Sequence, residues 1–361
     1  MRTMGVEEEF LLVTPDGVPT AVAPAVLRLA AAEPSDPRPG GDVEKEFKQE
    51  QVETSTHPCT DRDDLLAQVR DGRARADALA QAAGARVAAL GAPPQDVEST
   101  VIPDRRAHEI RARFGQTARE QLTCGCHVHV AVQDDDEGVR VLDHLRPWNA
   151  VLLALSANSP SWSGSSTGYA SYRSQVWGRW PTSGPTAPFG DGATYRHVIA
   201  DLLRTGTVLD DGMVYFDARL SAHYPTVEVR VADVCLDAAD AVLQAVLVRA
   251  LAETAVRTEP AVAPVRAEVL RTWTWRAARS GVTGDLVSPS TGEPRPAADV
   301  VGELLDHVRD ALAEAGDLEW TERQLGHVLR RGNGAVQQLA WRAQGADDDA
   351  LVRRAVDVTQ L

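Results

Sequence analysis

Gly5-Val6-Glu7-Glu8-Glu9-Phe10, running on into Leu11-Leu12-Val13, is the stretch whose reading decides the fold. Its apolar flanks describe a β-strand. Successive side chains of a strand point to opposite faces, so Glu7 and Glu9 share one face and Glu8 takes the other. Two carboxylates side by side repel each other unless a cation or hydrogen-bond donors lie between them. Read alone, the triplet describes a solvated edge strand better than a site, because glutamate is rarely buried. The rest of the chain repeats acids and histidines on apolar strands, and that repetition argues for a site.

Working outward, Thr14-Pro15-Asp16-Gly17 is a turn, residues 25–32 are helical in composition, and residues 33–42, with three prolines and two glycines, form a loop. Residues 43–56 read as a strand. Asp61 caps a helix carrying Leu65, Leu66 and Val69. Residues 87–90 read as a buried strand and 104–122 as a helix. In residues 124–132, His127 and His129 fall on one strand face with Val128 and Val130 on the other. A helix over 137–156, broken near Pro147, follows. Residues 159–192 are dense in Gly, Ser and Pro yet hold Tyr169, Tyr172, Trp177 and Trp180, so an ordered, functional loop is expected rather than a linker. Residues 195–204 read as a helix, 213–216 and 226–231 as strands, and 237–257 as an amphipathic helix. Helices over 297–315, 321–331 and 347 to the end complete the chain. In this α+β arrangement residues 1–361 form a single domain whose last part, from about residue 237, is mainly helical.

The 361 residues carry a formal net charge of -15, with 43% hydrophobic and 25% charged residues. Such a balance describes a folded protein and argues against a nucleic-acid-binding face. Cys59, Cys124, Cys126 and Cys235 form no C-x-x-C pair, and neither a secretory leader nor a membrane-length apolar run is visible. A cytoplasmic protein with reduced thiols is expected.

Four pieces carry chemistry: Glu7 with Glu9, the segment from Glu46 to Glu53, His127 with His129, and Glu228-Val229-Arg230. Carboxylates with an occasional imidazole suit Mg²⁺ or Mn²⁺ rather than a thiolate-seeking metal. An arginine beside them fits phosphate, which guanidinium grips as a fork.

Together with Leu155-Ser156-Ala157-Asn158-Ser159-Pro160, Thr167-Gly168-Tyr169-Ala170-Ser171-Tyr172-Arg173 and Thr226-Val227-Glu228-Val229-Arg230-Val231-Ala232-Asp233, the N-terminal strand and Cys124-Gly125-Cys126-His127-Val128-His129-Val130 resemble the type 2 glutamate–cysteine ligase family. Its members are ATP-dependent carboxylate–amine ligases similar in core to glutamine synthetase. The resemblance implies an antiparallel β-sheet funnel with helices packed on its outer face. It implies Glu7, Glu9, Glu46, Glu53, His127 and Glu228 as metal ligands, Glu7 and Glu9 each serving one of two metals and Glu228 completing the site that Glu7 and His127 begin. His129 would lie near the nucleotide phosphates and Arg230 would hold the transferring phosphate. Arg173 and Arg219 would bind substrate, Arg173 taking a carboxylate or phosphate. ATP and Mg²⁺ (or Mn²⁺) are the implied cofactors and amino acids the implied partners, with no nucleic acid, no membrane, and homo-oligomers common among such proteins.

The implied reaction has two steps: a glutamate-like carboxylate takes the γ-phosphoryl group of ATP, and an amine then displaces phosphate to give an amide. Cysteine is one such amine, and its ligation can be a weak or secondary activity in this family. Two other readings compete: a guanidino-type phosphotransferase on the same core, and a nucleotide- or metal-binding homologue without turnover. Gly91-Ala92-Pro93-Pro94 stands where many relatives place a Gly-Thr-His-Pro turn, a departure that bears on substrate identity. Glu8, facing away, is expected to tolerate replacement.

Overall fold

The computed structural model describes residues 1–34, 36–258 and 265–361; Ser35, inside the expected loop, lies outside them. The strands are β1 (Met4–Val13), β2 (Val43–Lys45), β3 (Gln51–Ser55), β4 (Arg86–Ala88), β5 (Gly125–Ala131), the small hairpin β6 (Ser161–Trp162) and β7 (Ser165–Ser166), β8 (Ala218–Leu220), β9 (Thr226–Asp233), and a second hairpin, β10 (Asp285–Val287) and β11 (Pro294–Pro296). The main sheet runs β2-β3-β1-β5-β9-β8, with β4 also on β1. Its pairings are all antiparallel. This is the expected α+β class with an antiparallel sheet.

Helices cover one face of that sheet. The helix Ala238–Arg257 packs on β1 and β5 and is itself covered by helices Arg62–Ala82, Asp135–Leu145, Ala297–Ala315 and Leu318–Arg331. It was expected to be amphipathic, but it is buried almost all round. A helix surrounded by other helices needs no polar face, so its apolar residues spread around the axis. The loop region 158–192 lies by the opposite, acid-bearing sheet face, through Arg173 against β9.

Other expectations were corrected. Residues 43–56 are two strands, β2 and β3, folded back on each other with Glu44 opposite Glu53. The helix over 104–122 is split by Gly115, whose φ of 54° leaves the helical region. The apolar run 213–216 is not a strand. It follows a 3₁₀ turn, Asp211–Met213, and the edge strand starts at Ala218. Met213 instead fills a small cluster with Ile110, Ala118, Trp180 and Val208; a four-residue apolar run does not distinguish a buried turn from a strand. Helices Ala267–Ser280 and Gly334–Ala343 were not anticipated. The first is rich in Trp and Thr, which propensity does not favour in helices, yet Leu270, Trp273 and Ala277 align on its buried side. Asp61, Asp134, Asp191, Asp237 and Asp347 cap helices by accepting backbone N–H bonds. Among the described residues no helix is long and apolar enough to cross a membrane.

Glu8 shows a further correction. It is 2% exposed and accepts a forked pair of hydrogen bonds from Arg73, Nη2 to Oε1 at 2.6 Å and Nε to Oε2 at 2.9 Å. Arg73 also donates to the carbonyls of Cys235 and Leu236, just beyond β9. The face away from the acids is the packed core, so Glu8 is a buried ion, not a free surface residue.

Candidate active site

Sheet register assembles the site. Across β2, β3 and β1, Glu44, Glu53 and Glu9 lie in one row. Glu7 lies opposite His127 of β5. His129 lies opposite Glu228 of β9, and Glu228 opposite Arg219 of β8. Strand alternation therefore places side chains from six strands on one face. Between Cys126 and Val128 the β5–β9 register shifts, leaving Arg230 and Val231 to face His127 alone. A bulge of this kind turns a side chain out of its regular direction. Here Arg230 keeps the face of Glu228, two residues before it, and pairs with it; its Nη1 stands 3.4 Å from His127 Nδ1, and Val231 joins it in lining a neighbouring cavity.

Two groups of ligand atoms result, Glu7–Glu53–His127 and Glu7–His129–Glu228, each with its atoms within 4.8 Å of one another. Glu7 belongs to both. His127 Nδ1 is 3.5 Å and His129 Nε2 3.2 Å from its carboxylate. Burial opposes ionisation of Glu7, but hydrogen bonds to the two imidazoles outweigh it and hold the carboxyl well below its usual range. Burial likewise resists charge on Glu228, and Arg230 and Arg219 overcome it. On the other side of Glu7 the carboxylates crowd one another, and Arg173 and Arg230 offset only part of the burial at Glu9. Burial, then the charge of Glu46, pushes Glu9 up to about 7. Burial and the neighbouring Glu7, Glu46 and Glu9 push Glu53 well above its ordinary value. Burial and Arg230 lower His127 to about 4, so its ring is neutral. His127 Nε2 is closed to solvent without a hydrogen-bond partner, and His129 Nε2, also closed to solvent, has the Glu7 carboxylate at 3.2 Å. Imidazole nitrogens aimed among crowded carboxylates are a donor set that fits a divalent cation.

The expected residues are thus brought together, with changes of place. Glu228 groups with Glu7 and His129, not with His127, because the β5–β9 register sets it opposite His129. Glu9 stands outside both groups; its Oε2 accepts the Gly125 N–H at 2.5 Å and its Oε1 is 3.6 Å from His127 Nε2. Glu46 also stands outside, beside Glu53, and accepts the N–H of Phe47. Arg219 is committed to Glu228, Nε to Oε2 at 2.7 Å, and to the Val214 carbonyl.

Arg173 is buried at the start of the short helix Arg173–Trp177. It passes so close to Gly125 that a Cβ there would lie 2.3 Å from its Nη2. The glycine between Cys124 and Cys126 thereby admits a guanidinium to the sheet face. Asp233, at the end of β9, organises the loop: it accepts from Asn158 N at 2.8 Å, Ser159 Oγ at 2.7 Å and Ser171 Oγ at 2.8 Å, with Arg173 Nη1 at 3.9 Å. Replacing Asp233 by Asn puts an NH₂ in place of one oxygen, facing one or two of these donors. It is expected to cost roughly 1–3 kcal/mol and to speed hydrogen exchange across residues 158–173, measured by mass spectrometry; unchanged exchange there would contradict this role. The residues of Gly91-Ala92-Pro93-Pro94 are buried, and a Cβ on Gly91 would come within 2.9 Å of the Asp233 carboxyl.

Beside the sheet cluster lies a cavity of about 300 Å³, lined in part by Arg173, Arg230, Trp177, Tyr215, Asp217 and Arg271. Sequence reading missed Asp217 and Arg271. One sits in a bend and the other on the unanticipated helix, so neither carries a strand or motif signal. Trp177 and Tyr215 meet at a tilt of 57° with 4.7 Å between ring centroids, and the Arg173 and Arg230 guanidiniums lie 5.6 and 5.9 Å from the Trp177 ring.

The family model of glutamate–cysteine ligase family 2 matches residues 3–357. A Paenarthrobacter aurescens (strain TC1) protein provisionally named glutamate–cysteine ligase 2-1 is 50% identical over 341 residues, 92% of this chain and 88% of the relative. A Streptomyces coelicolor protein provisionally named glutamate–cysteine ligase 2 is 48% identical over 367 aligned positions, covering 100% and 99%. Among solved structures, Francisella tularensis glutamate–cysteine ligase in complex with AMP aligns over 99% of this chain and 89% of its own, with a TM-score of 0.69 at 15% identity. A bifunctional glutathione synthetase from Pasteurella multocida aligns over 99% of this chain and 52% of its own, with a TM-score of 0.72 at 16% identity. These structures share the fold, and the sequence match over nearly the whole chain carries the lineage: the chain belongs to glutamate–cysteine ligase family 2.

Proposed function

We propose that this chain joins a glutamate-like carboxylate to an amine, cysteine among the candidates, with cleavage of ATP to ADP and phosphate. The coarse class, an ATP-dependent carboxylate–amine ligase, follows from the family. The observation that carries the reading is the pair of carboxylate–imidazole groups sharing Glu7, with Arg230 on the same sheet face. Glu7, Glu53 and His127 would hold one divalent cation and Glu7, His129 and Glu228 another, with Glu9 and Glu46 adjoining. Mg²⁺ or Mn²⁺ bound there supplies charge neutralisation for phosphates and a template for their orientation.

The protein's own groups do the rest. Arg230, held by Glu228 and its bulge, points positive charge at the phosphoryl group as the substrate carboxylate oxygen attacks the γ-phosphorus and ADP leaves. The amine nitrogen then attacks the acyl carbon, phosphate departs, and the amine gives up a proton. Arg173 sits where it can hold the carboxylate or the departing phosphate. The aromatic loop around Trp177 keeps water from the acyl phosphate. Residues 1–361 would act as one ligase unit on small-molecule substrates, and free cysteines, three of them buried, suit a reducing compartment.

An ADP-release screen over acids and amines, with mass detection of products, tests the reading. ADP and an amide are expected to form in equal amounts for at least one pair. A stable phosphorylated product without amide would favour a phosphotransferase, and no ADP from any pair would leave a binding protein without turnover.

A further inference from the structure

Asp217 is an acid that neither ligand group uses. Glu7 faces two imidazoles, Glu8 faces Arg73, Glu228 faces two arginines, and Asp233 accepts from a backbone N–H and two hydroxyls. The Asp217 carboxyl lines the cavity, and its Oδ2 is closed to solvent with no hydrogen-bond partner. Burial pushes it up to about 7, and only the charge of Arg271 works against that. A desolvated carboxyl without donors is costly, and it is retained where a ligand supplies them.

Arg271 completes the arrangement. Its side chain is exposed, it makes no ion pair among the described residues, and its guanidinium lies against Gly184, where a Cβ would stand 3.5 Å from Nη2. One part of the cavity therefore offers an unpartnered carboxyl beside an unpaired guanidinium. Another part offers Arg173 and Arg230, and Arg230 touches the acid–histidine cluster through Glu228. A carboxyl next to a guanidinium complements an ammonium next to a carboxylate, which is the head of a free α-amino acid.

We propose that Asp217 and Arg271 determine specificity by reading that head on the acid substrate, Asp217 accepting from its ammonium and Arg271 donating to its α-carboxylate. The distal carboxylate then lies toward Arg173 and Arg230, where it is activated. The assignment rests on the ligase reading for the fate of the distal carboxylate, but not for the binding of the head. It predicts that acids lacking either head group bind poorly, because a buried polar group of the protein is left unpaired.

Isothermal titration with L-glutamate, glutarate and 4-aminobutyrate, in the presence of Mg²⁺ and a non-hydrolysable ATP analogue, measures this directly. The unsubstituted chain is expected to bind L-glutamate roughly tenfold or more tightly than glutarate, which lacks the ammonium, or 4-aminobutyrate, which lacks the α-carboxylate. Asp217→Asn should erase the discrimination against glutarate and Arg271→Gln that against 4-aminobutyrate. Circular dichroism checks that the Asp217 variant folds; if it does not, the exposed Arg271 variant and the unsubstituted chain's own preference decide. Equal or undetectable binding of the three acids to the unsubstituted chain overturns the proposal, as does discrimination that survives both substitutions. Absence of ADP release from every acid–amine pair overturns the ligase reading instead, and the binding comparison still stands or falls by itself.

Discussion

Replacing Glu7 by Gln is expected to lower ADP formation by roughly 10²–10³-fold or more, the scale on which one preorganised charge-stabilising group counts, while the fold survives. Glu7 is the member common to both ligand groups, so one oxygen-to-nitrogen change removes a charge from each. The fold should tolerate it, because Glu7 adds its charge to a crowded side of the sheet, raising Glu53 and Glu44. Glu228→Gln is a less clean experiment. Glu228 lies against both Arg219 and Arg230, and a neutral amide there leaves two guanidiniums facing each other. The two effects are separated by pairing ADP-release assays with Mn²⁺ titration and thermal melting. Near-normal turnover of the Glu7 variant at saturating Mg²⁺ would sink the shared-ligand assignment.

Glu8→Ala is expected to have the largest effect on stability, about 3–5 kcal/mol, the cost of removing one partner of a buried ion pair. Arg73 is 1% exposed, so its charge could not turn to water. Its bonds to the Cys235 and Leu236 carbonyls would remain, but they do not neutralise a charge. Urea unfolding followed by circular dichroism measures the loss. A double replacement, Glu8→Leu with Arg73→Met, should recover much of it, because a buried pair exchanged for apolar groups of similar size is often neutral or better. A Glu8→Ala protein within about 1 kcal/mol of the parent would contradict the estimate.

The residues of the sheet cluster were legible because strands have a period of two. Once β1, β5 and β9 are recognised, Glu7, His127, His129, Glu228 and Arg230 must project on predictable sides. What the period does not carry is which strand lies opposite which, so the grouping of Glu228 with His129 awaited the register. The same holds for the bulge at Arg230, which no residue type announces. Glu8 was misread for a related reason: alternation shows that a side chain faces away, not what it faces, and the helix Arg62–Ala82 brings Arg73 from 65 residues away. Asp217 and Arg271 lie beyond any local pattern, since the cavity joins a bend to a helix over fifty residues later. The C-terminal helices were partly visible from their apolar spacing, but the Trp- and Thr-rich helix Ala267–Ser280 forms because of what it packs against, not because of its intrinsic preference.

The Glu8–Arg73 pair bears on how β1 finds its place during folding. β1 is bordered by β3 along one edge and by β5 and then β4 along the other, and its three consecutive glutamates offer almost the same side chain at neighbouring positions. Such a strand invites a slip of one residue, which would exchange its two faces. A slipped β1 would bring Glu7 or Glu9 toward Arg73 but drive the other into the apolar interior with no counter-charge, and would turn Leu12 toward the acid side. A single arginine, placed to accept one carboxylate only, therefore makes the correct alignment the one in which every glutamate of the triplet has somewhere to go.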